Sequence, residues 1–575
     1  MSCFKNSLTN PMLLLFSKIS WSQCPNYTPQ RQVFWGDLHV HTHLSMDAAI
    51  QGTETSLEEA YDFAVGKEIY LSNLDTSMQL QDPLDFVSIT DHSEMLGELE
   101  ICRSPQLKGY SSIGCRTYRK YDDLAFLWFN SRLSLSPKPY RKDLARMPFC
   151  RWKGEHCEKI ASKVWQMMVN EAEKNNTPCE FTVFPGYEWS SSPHLRNLHR
   201  NVIFENFDVP KQPISYLDAP KDIQLWQQLD QNCTGHCNYL TIPHNSNLSS
   251  GTMFPTISEL RVDSISTYAL ERHQKEPVME VFQHKGSSEC SPNKQDPECS
   301  FEHVPFDNLV VDRYKGFLTD PPQKSDFLRY ALTEGLIYEE QGLDNPYKYG
   351  VIASSDTHLG IPGAVDEEQF FGHGGAGKVG RLGMVDSPYF NPGGIVAVWA
   401  EENTQNSIFD ALERKEVFAT SGPRFELRFF ASTTELTSQC GTEEWITEAY
   451  KKGVPMGGSL EEHMDIFFYV HVKAPQEYPI ERIQMIQGWA DGKVHHESVQ
   501  TIWYESDGSH FQCYSLQMTV PELSWTYIRV LAVPTKRWSP CEDIEQLSNN
   551  SCPDEIPQKI HERAWSSPIW FYNSP

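Results

Sequence analysis

Several short apolar stretches of this chain end in residues that bind metals well. In the first, Leu38 and Val40 alternate with Asp37, His39 and His41. A period of two predicts the end of a buried strand and turns both histidines to the same face. Two neutral imidazoles held on one strand suit a divalent cation. The alternative is an ordinary strand end whose polar groups are solvated.

The same pattern recurs along the chain, where further apolar runs end in, or begin beside, a histidine or a carboxylate. These runs supply Asp91 and His92, Glu188, His199, His244 with Asn245, and Asp356 with His358. A barrel collects ligands in this way, from the ends of strands that lie far apart in sequence. One histidine at a strand end is common, but a series of them is not. The pattern therefore predicts an α/β fold with one shared metal site.

Outside these runs the pattern changes twice. Residues 94–150 show poor periodicity, whereas Cys157 to Asn175 follow the 3.6-residue period of a helix. We interpret 94–175 as an insertion over the metal face that shapes substrate access. The alternative is a surface excursion without a role in the site.

The last part of the chain is rich in alternating strands. After a helix that Thr404 is expected to cap, strand patterns with turn signals between them occur at 467–472, 483–486 and 525–533. They predict a β-rich, sandwich-like module over 429–575, following a metal-binding domain over 33–428. Its role is expected to be structural.

A glycine-rich stretch, Phe371 to Gly377, lacks the spacing and the Lys-Ser/Thr ending of a nucleotide-binding loop. We expect a flexible loop there. Its His373 either enters the site or is a plain mobile histidine.

Length and charge narrow the possible functions. The 575 residues exceed what one barrel needs, and the formal net charge of −27 argues against a nucleic-acid surface. That charge is compatible with a small anionic ester held by metals.

The apolar run from Met12 to Phe16 is too short to span a membrane. Residues 1–23 are interpreted as a weak secretory signal peptide, the alternative being a disordered terminus.

The cysteines support export. Of the 15 cysteines, Cys3 lies in the leader, which leaves an even number. Several are near neighbours: Cys102 with Cys115, Cys150 with Cys157, Cys233 with Cys237, Cys290 with Cys299, and Cys541 with Cys552. This spacing predicts disulfides of an oxidising compartment, and hence a periplasmic or secreted protein. A zinc knuckle at Cys233 and Cys237, with His236 between them, is the weaker alternative because no C-x2-C occurs.

The order HxH, TDH, a lone glutamate, two separated histidines and SDTH resembles the PHP superfamily of metal-dependent phosphoesterases, named for polymerase and histidinol phosphatase domains. The resemblance covers about Val33 to Arg428. Within that superfamily the chain is similar to an uncharacterised, often exported branch with the motifs FGDLHVHT and AWSSPIW. Here they read Phe34 to Thr42, with Trp at 35, and Ala564 to Trp570.

This resemblance implies a distorted TIM-like (β/α)7 barrel that holds two or three divalent ions, commonly manganese, iron or zinc. Carried over by motif position, the implied metal ligands are His39, His41, Asp47, His92, Glu188, His199, His244, Asp356 and His358. Asp47 departs from the pattern, because many relatives have a histidine there.

Such a ligand set predicts metal-assisted hydrolysis. Two metals about 3.5–4 Å apart lower the pKa of a bridging water toward 7 and clamp an anionic oxygen. We expect Glu188 to bridge the metals, because a carboxylate has two oxygens. His199 and Asp91 are the other predicted catalytic residues, with Asp91 and Asp37 orienting imidazoles from outside the ligand set.

Three residues beside the ligands are candidates to bind the substrate. Arg196, Arg200 and Asn245 are placed to contact phosphate oxygens, the arginines with two hydrogen bonds each. They serve equally well as surface or packing groups.

Three classes of function therefore follow from the sequence. The first is a phosphoesterase acting on a mono- or diester. The second is another metal-dependent hydrolase, acting on a sulfate ester or an amide. The third is a non-catalytic protein with structural metals, which is disfavoured because structural sites usually close with four ligands. The sequence leaves the oligomeric state open.

Overall fold

The computed structural model of the chain describes residues 23–134, 146–150, 154–262, 264–307, 321–370, 372, 389–461, 465–538 and 556–572. The predicted leader up to residue 22, the glycine-rich stretch apart from Gly372, and the pair Cys541 and Cys552 lie outside these residues.

The helices are α1 Met46–Ile50, α2 Leu57–Ala64, α3 Leu96–Arg103, α4 Ile113–Lys120, α5 Asp122–Ser134, α6 Glu155–Asn175, α7 Asp222–Asn232, α8 Ile265–Lys275, α9 Leu328–Glu340, α10 Gln405–Glu413 and α11 Glu443–Lys452. The first twelve strands are β1 Gln32–Asp37, β2 Ile69–Leu71, β3 Thr76–Met78, β4 Phe86–Ile89, β5 Thr182–Trp189, β6 Arg200–Phe204, β7 Tyr239–Pro243, β8 Val278–Gln283, β9 Gly286–Ser287, β10 Gly350–Ala353, β11 Ile395–Ala400 and β12 Val417–Thr420. The remaining strands are β13 Glu426–Ser432, β14 Gly453–Pro455, β15 Ser459–Leu460, β16 Ile466–Lys473, β17 Ile480–Asp491, β18 Val494–Ser509, β19 Phe511–Met518, β20 Ser524–Ala532, β21 Thr535–Lys536, β22 Lys559–Ile560, β23 Arg563–Ser566 and β24 Ile569–Phe571.

A 13-stranded mixed sheet organises the molecule. Its order is β15-β24-β20-β23-β12-β11-β1-β4-β5-β6-β7, with β17 beside β20 and β18 beside β17. Strands β1, β4 and β5 are parallel, whereas β5, β6 and β7 are antiparallel. Strands β8 and β10 are parallel in a separate three-stranded sheet. The fold is therefore mixed α/β.

The implied (β/α)7 barrel is not found as a closed barrel among the described residues. The reason lies in the links between strands. No α-helix lies between β5 and β6, so the chain turns back and pairs antiparallel. A parallel pair needs a longer crossover, usually through a helix.

The strands expected from the apolar runs do form. Strands β4, β5, β7 and β10 coincide with the runs that lead to the candidate ligands, and α6 covers the predicted helix. Thr404 caps α10, because its side chain accepts a hydrogen bond from the Ser407 amide at 3.4 Å.

The segment before α6 contains helices that the periodicity did not indicate. Helix α5 shows why, since it exposes Leu124 and Leu127 while it buries Phe129 and Leu133. A helix with apolar residues on several sides gives no periodic signal.

The C-terminal half is rich in strands, as expected. It shares a core with the main sheet, where Trp35 and Phe418 lie in one buried cluster with Ile483 and Val530. Strand β23, which contains the first half of the AWSSPIW motif, pairs with both β12 and β20. One sheet therefore continues through both halves, and the boundary at 428 stays a prediction.

Six disulfides join described cysteines. Four are pairs of near neighbours expected from the sequence: Cys102–Cys115, Cys150–Cys157, Cys233–Cys237 and Cys290–Cys299. Because Cys233 and Cys237 are bonded to each other, they do not form the zinc knuckle that was the alternative there. Two more, Cys24–Cys179 and Cys440–Cys513, span 155 and 73 residues, a separation that local spacing does not reveal. Within the described ranges, no helix is long and apolar enough to span a bilayer.

Candidate metal centre

The first group of candidate ligands lies where β1 ends. His39 and His41 follow that strand, and their Nε2 atoms are 3.2 Å apart. Asp356 Oδ1 lies 3.2 Å from His39 Nε2 and 3.1 Å from His41 Nε2. Glu188 Oε2 lies 3.2 Å from His41 Nε2. Two imidazoles and two carboxylates thus converge on one buried point.

A second group lies on the other oxygen of the same glutamate. Glu188 Oε1 is 2.5 Å from His199 Nδ1 and 3.0 Å from His244 Nε2. Strand β5 supplies Glu188, while His199 precedes β6 and His244 follows β7. The antiparallel pairing of β5, β6 and β7 brings the three side chains together.

A third group centres on Asp47, in helix α1. Its Oδ2 lies 3.1 Å from His92 Nε2 and 3.0 Å from His358 Nε2. His92 also faces the first two groups, since its Nδ1 is 3.1 Å from Glu188 Oε2. The structure therefore brings together all nine side chains that the motifs imply as ligands.

The buried oxygens of this cluster fit divalent cations. Glu188 Oε2 and Asp356 Oδ1 are both buried and have no hydrogen-bond partner among the described residues. A buried anionic oxygen without a donor is costly, and a bound cation removes that cost. Mixed imidazole and carboxylate donors suit manganese, iron and zinc alike. Groups of these ligand atoms lie within 4.8 Å of one another.

Two carboxyl groups of the cluster have a lowered pKa. Burial opposes the charge of Glu188 and Asp356, but the neighbouring imidazoles outweigh burial and hold the pKa of both carboxyls well below the usual range. Burial also lowers the pKa of His41, yet Asp356 and Glu188 outweigh it and raise that pKa to about 10.

Two other imidazoles are neutral. Burial lowers the pKa of His39 to about 3 and that of His199 to about 4. A neutral imidazole keeps a lone pair for a metal, whereas a protonated one must first release its proton.

Residues around the ligands orient them. Glu280 Oε2, on β8, lies 3.0 Å from His39 Nδ1. Ser45 Oγ lies 2.6 Å from His41 Nδ1 and donates to Asp91 Oδ1 at 2.9 Å. Asp91 thus acts on an imidazole through Ser45. The glutamate and the serine were missed from the sequence.

Asp37 has a different task from the one expected. Its carboxylate accepts hydrogen bonds from the Ser355 hydroxyl at 2.5 Å and from the Gly363 amide at 2.9 Å. It contacts no imidazole side chain among the described residues. Asp37 instead ties the end of β1 to the chain around Asp356.

The three residues predicted to bind the substrate differ in their position relative to the cluster. Arg200 is buried, and its Nε donates to Glu276 Oε1 at 2.7 Å, so its guanidinium is committed away from the ligands. Alternation along β6 explains this, because His199 and Arg200 point to opposite faces. Asn245 Oδ1 lies 3.3 Å from His244 Nδ1 and is part of the cluster. Arg196 is half-buried after a short turn, and its role stays a prediction.

Three consecutive residues at the end of β8 also contact the cluster. Gln283 Nε2 lies 2.6 Å from Asp356 Oδ2, His284 Nδ1 lies 3.3 Å from it, and the Lys285 ammonium contacts the same oxygen. The signal for them was present, since Val278 to His284 is another apolar run that ends in a histidine.

The fold and the cluster define an α/β protein with a candidate multinuclear metal centre. The family profile described as protein of unknown function, DUF3604, matches residues 28–519 and 519–573. The chain belongs to the DUF3604 family. It matches none of the curated proteins with which it was compared.

Among solved structures, the chain resembles a two-domain protein from Bacteroides vulgatus ATCC 8482, described as containing a predicted PHP-like metal-dependent phosphoesterase. The two chains are 12% identical with a TM-score of 0.30, and the match covers 88% of this chain and 93% of that one. We draw nothing further from a likeness this distant.

Proposed function

We propose that this protein is a metal-dependent hydrolase, and within that class a phosphoesterase that cleaves a phosphate mono- or diester. The observation that carries the proposal is Glu188, whose two oxygens each lie against a different group of buried imidazoles. A carboxylate so placed can bind one cation with each oxygen, and paired cations are the basis of two-metal hydrolysis. The resemblance of the motif order to PHP phosphoesterases supports a phosphate ester as substrate.

Three groups of residues would hold the metals. The first is His39, His41, Glu188 and Asp356; the second is Glu188, His199 and His244; the third is Asp47, His92 and His358. This arrangement supports two or three divalent ions, of which manganese, iron and zinc are the candidates.

When bound, such ions supply an activated water and stabilise negative charge on the transferred group. The chain supplies the rest. Glu188 stays ionised, which keeps both its oxygens available. The Ser192 hydroxyl lies 2.7 Å from His199 Nε2 and orients that imidazole, and Asp91 fixes His41 through Ser45. We assign substrate contacts to Asn245 and Arg196.

The number of ligands argues against a purely structural role for the metals. Structural zinc sites normally close with four ligands, whereas nine buried or half-buried side chains gather in this cluster. The same ligands would also serve hydrolysis of a sulfate ester or an amide, which is the alternative reaction.

We also propose that the protein works in an oxidising compartment, either the periplasm or outside the cell. The six disulfides between described cysteines support this location. The proposed signal peptide, residues 1–23, would direct the chain there.

The test is elemental analysis joined to hydrolysis of p-nitrophenyl phosphate and bis-p-nitrophenyl phosphate. We expect two or three metals per chain and ester cleavage by wild type, with both reduced strongly in His39→Ala/His41→Ala. His236→Ala, an exposed histidine outside the cluster, is the matched control and should match wild type. Metal without phosphate-ester cleavage would shift the proposal to sulfate esters or amides. Metal-free protein would refute the site.

A further inference from the structure

Asp356 presents its two oxygens to different surroundings. Oδ1 faces the imidazoles of His39 and His41 at 3.2 Å and 3.1 Å. Oδ2 faces the opposite way and is contacted by Gln283, His284 and Lys285. The lysine ammonium is therefore one carboxylate away from the first ligand group.

Lys285 reaches this position from the edge of the buried cluster. Its side chain is 16% exposed, against 1% for Asp356. Among the described residues, the Lys285 ammonium forms its ion pair with Asp356. Gln283 Nε2 also donates to Oδ2, at 2.6 Å, so this oxygen keeps a hydrogen bond if the lysine turns to another anion.

The other basic side chains expected at the site are less well placed. Arg200 is buried against Glu276 and Asp222. The Arg196 guanidinium forms no ion pair with a candidate ligand among the described residues. Of the three basic side chains compared, Lys285 is the one whose charged group contacts a candidate ligand.

We propose that Lys285 binds an anionic oxygen of the substrate beside the metals, and that the preferred substrate is a dianionic phosphate monoester. This inference rests on the proposed hydrolase function. A lysine is a compact point charge that suits phosphate oxygens. A monoester dianion carries one more negative charge than a diester, so an added fixed cation favours it more.

The first test measures binding of inorganic phosphate to metal-loaded protein by calorimetry, together with metal content. We expect Lys285→Gln to weaken phosphate binding about tenfold, as loss of one charge-assisted hydrogen bond predicts. Metal content should stay at the wild-type value, and Lys285→Arg should restore most of the affinity. Lys473→Gln removes an exposed lysine that pairs with Glu426, and it should bind phosphate as wild type does.

Three results would overturn the assignment of Lys285 to phosphate binding. Unchanged phosphate affinity in Lys285→Gln would remove the lysine from the binding site. Loss of metal in parallel with phosphate affinity would show that the lysine only holds Asp356. Metal-loaded wild type that binds no phosphate refutes the inference as well.

The second test compares the two nitrophenyl esters. In Lys285→Gln we expect KM to rise about tenfold for the monoester and distinctly less for the diester. Equal changes would refute the preference for a monoester. If wild type binds phosphate through Lys285 but cleaves neither ester, the phosphoesterase proposal fails while the assignment of Lys285 to anion binding stands.

Discussion

The candidate ligand Asp356, and Asn245 beside the candidate ligand His244, adopt a backbone conformation that residues with a side chain usually avoid. Asp356 has φ of 50° and Asn245 has φ of 48°, in the left-handed region. Aspartate and asparagine tolerate this region better than other residues with a side chain, but the conformation still costs about 1–3 kcal/mol. Asn245 lies two residues after the end of β7 and Asp356 three residues after the end of β10, and each side chain lies in the cluster. Two of the ten described non-glycine residues with positive φ therefore belong to the cluster.

Glu280 offers a test of how a buried partner fixes an imidazole. Its carboxylate lies 3.0 Å from His39 Nδ1, so the histidine keeps its Nε2 lone pair for the cluster. We expect Glu280→Gln to weaken metal binding by about 10–100-fold. This loss is measured by adding metal to the metal-free protein in the presence of a competing chelator. The exposed Glu259→Gln is the control, and equal affinity in both variants would contradict the role given to Glu280.

The sequence was informative for the ligands and less so for the residues around them. His92, Glu188 and His358 follow or end apolar runs, a pattern that is visible along the chain. Glu280 lies inside such a run and contacts an imidazole 241 positions away, which no local pattern predicts. Partners of this kind are set by tertiary packing.

At the scale of elements, the segment predicted as an insertion contains a close contact between helices α3 and α6. Gly97 of α3 packs against α6 so closely that a Cβ there would lie 2.0 Å from the Cys157 carbonyl oxygen and 3.1 Å from the Ala161 amide. The two helices therefore approach each other through backbone atoms. A disulfide, Cys150–Cys157, ties the start of α6 to the preceding turn.

This contact predicts that Gly97→Ala destabilises the protein. The added methyl group must displace backbone, and we expect the free energy of unfolding to fall by about 1–3 kcal/mol. Urea denaturation measures the change. Glu100→Ala, in the same helix, should stay within about 0.5 kcal/mol of wild type. If the two variants are equally stable, the helices have room to separate.

The sequence predicts where strands form better than it predicts how they pair. Apolar runs gave β4, β5, β7 and β10 because hydrophobic patterning is local. The direction of pairing depends on the links, and the antiparallel return from β5 through β6 to β7 replaced the parallel order of a barrel. The sequence did not predict helices α3, α4 and α5 for a similar reason, because the side chains that they bury depend on the elements packed against them.

At the scale of the molecule, the disulfide between Cys24 and Cys179 joins the start of the described chain to the residues before β5. It spans 155 residues, whereas Cys233–Cys237 spans 4. By the loop-closure entropy of the unfolded chain, the first disulfide adds about 5 kcal/mol to the free energy of unfolding and the second about 2 kcal/mol.

We therefore expect Cys24→Ala/Cys179→Ala to lose more stability than Cys233→Ala/Cys237→Ala, by about 3 kcal/mol. Urea denaturation under non-reducing conditions measures the difference. Each double variant is the control for the other, because each removes one disulfide. Equal losses would mean that strain or residual structure in the unfolded chain, and not loop length, sets the contribution.

The position of β23 also has a consequence for the order of events during synthesis. This strand joins β12 to β20, and both of its neighbours precede it along the chain. Until the ribosome has made Arg563 to Ser566, β12 and β20 each present an open edge. The continuous sheet described above can be completed only after nearly all of this sequence has emerged. Until then, the two edges are open to pairing with another chain.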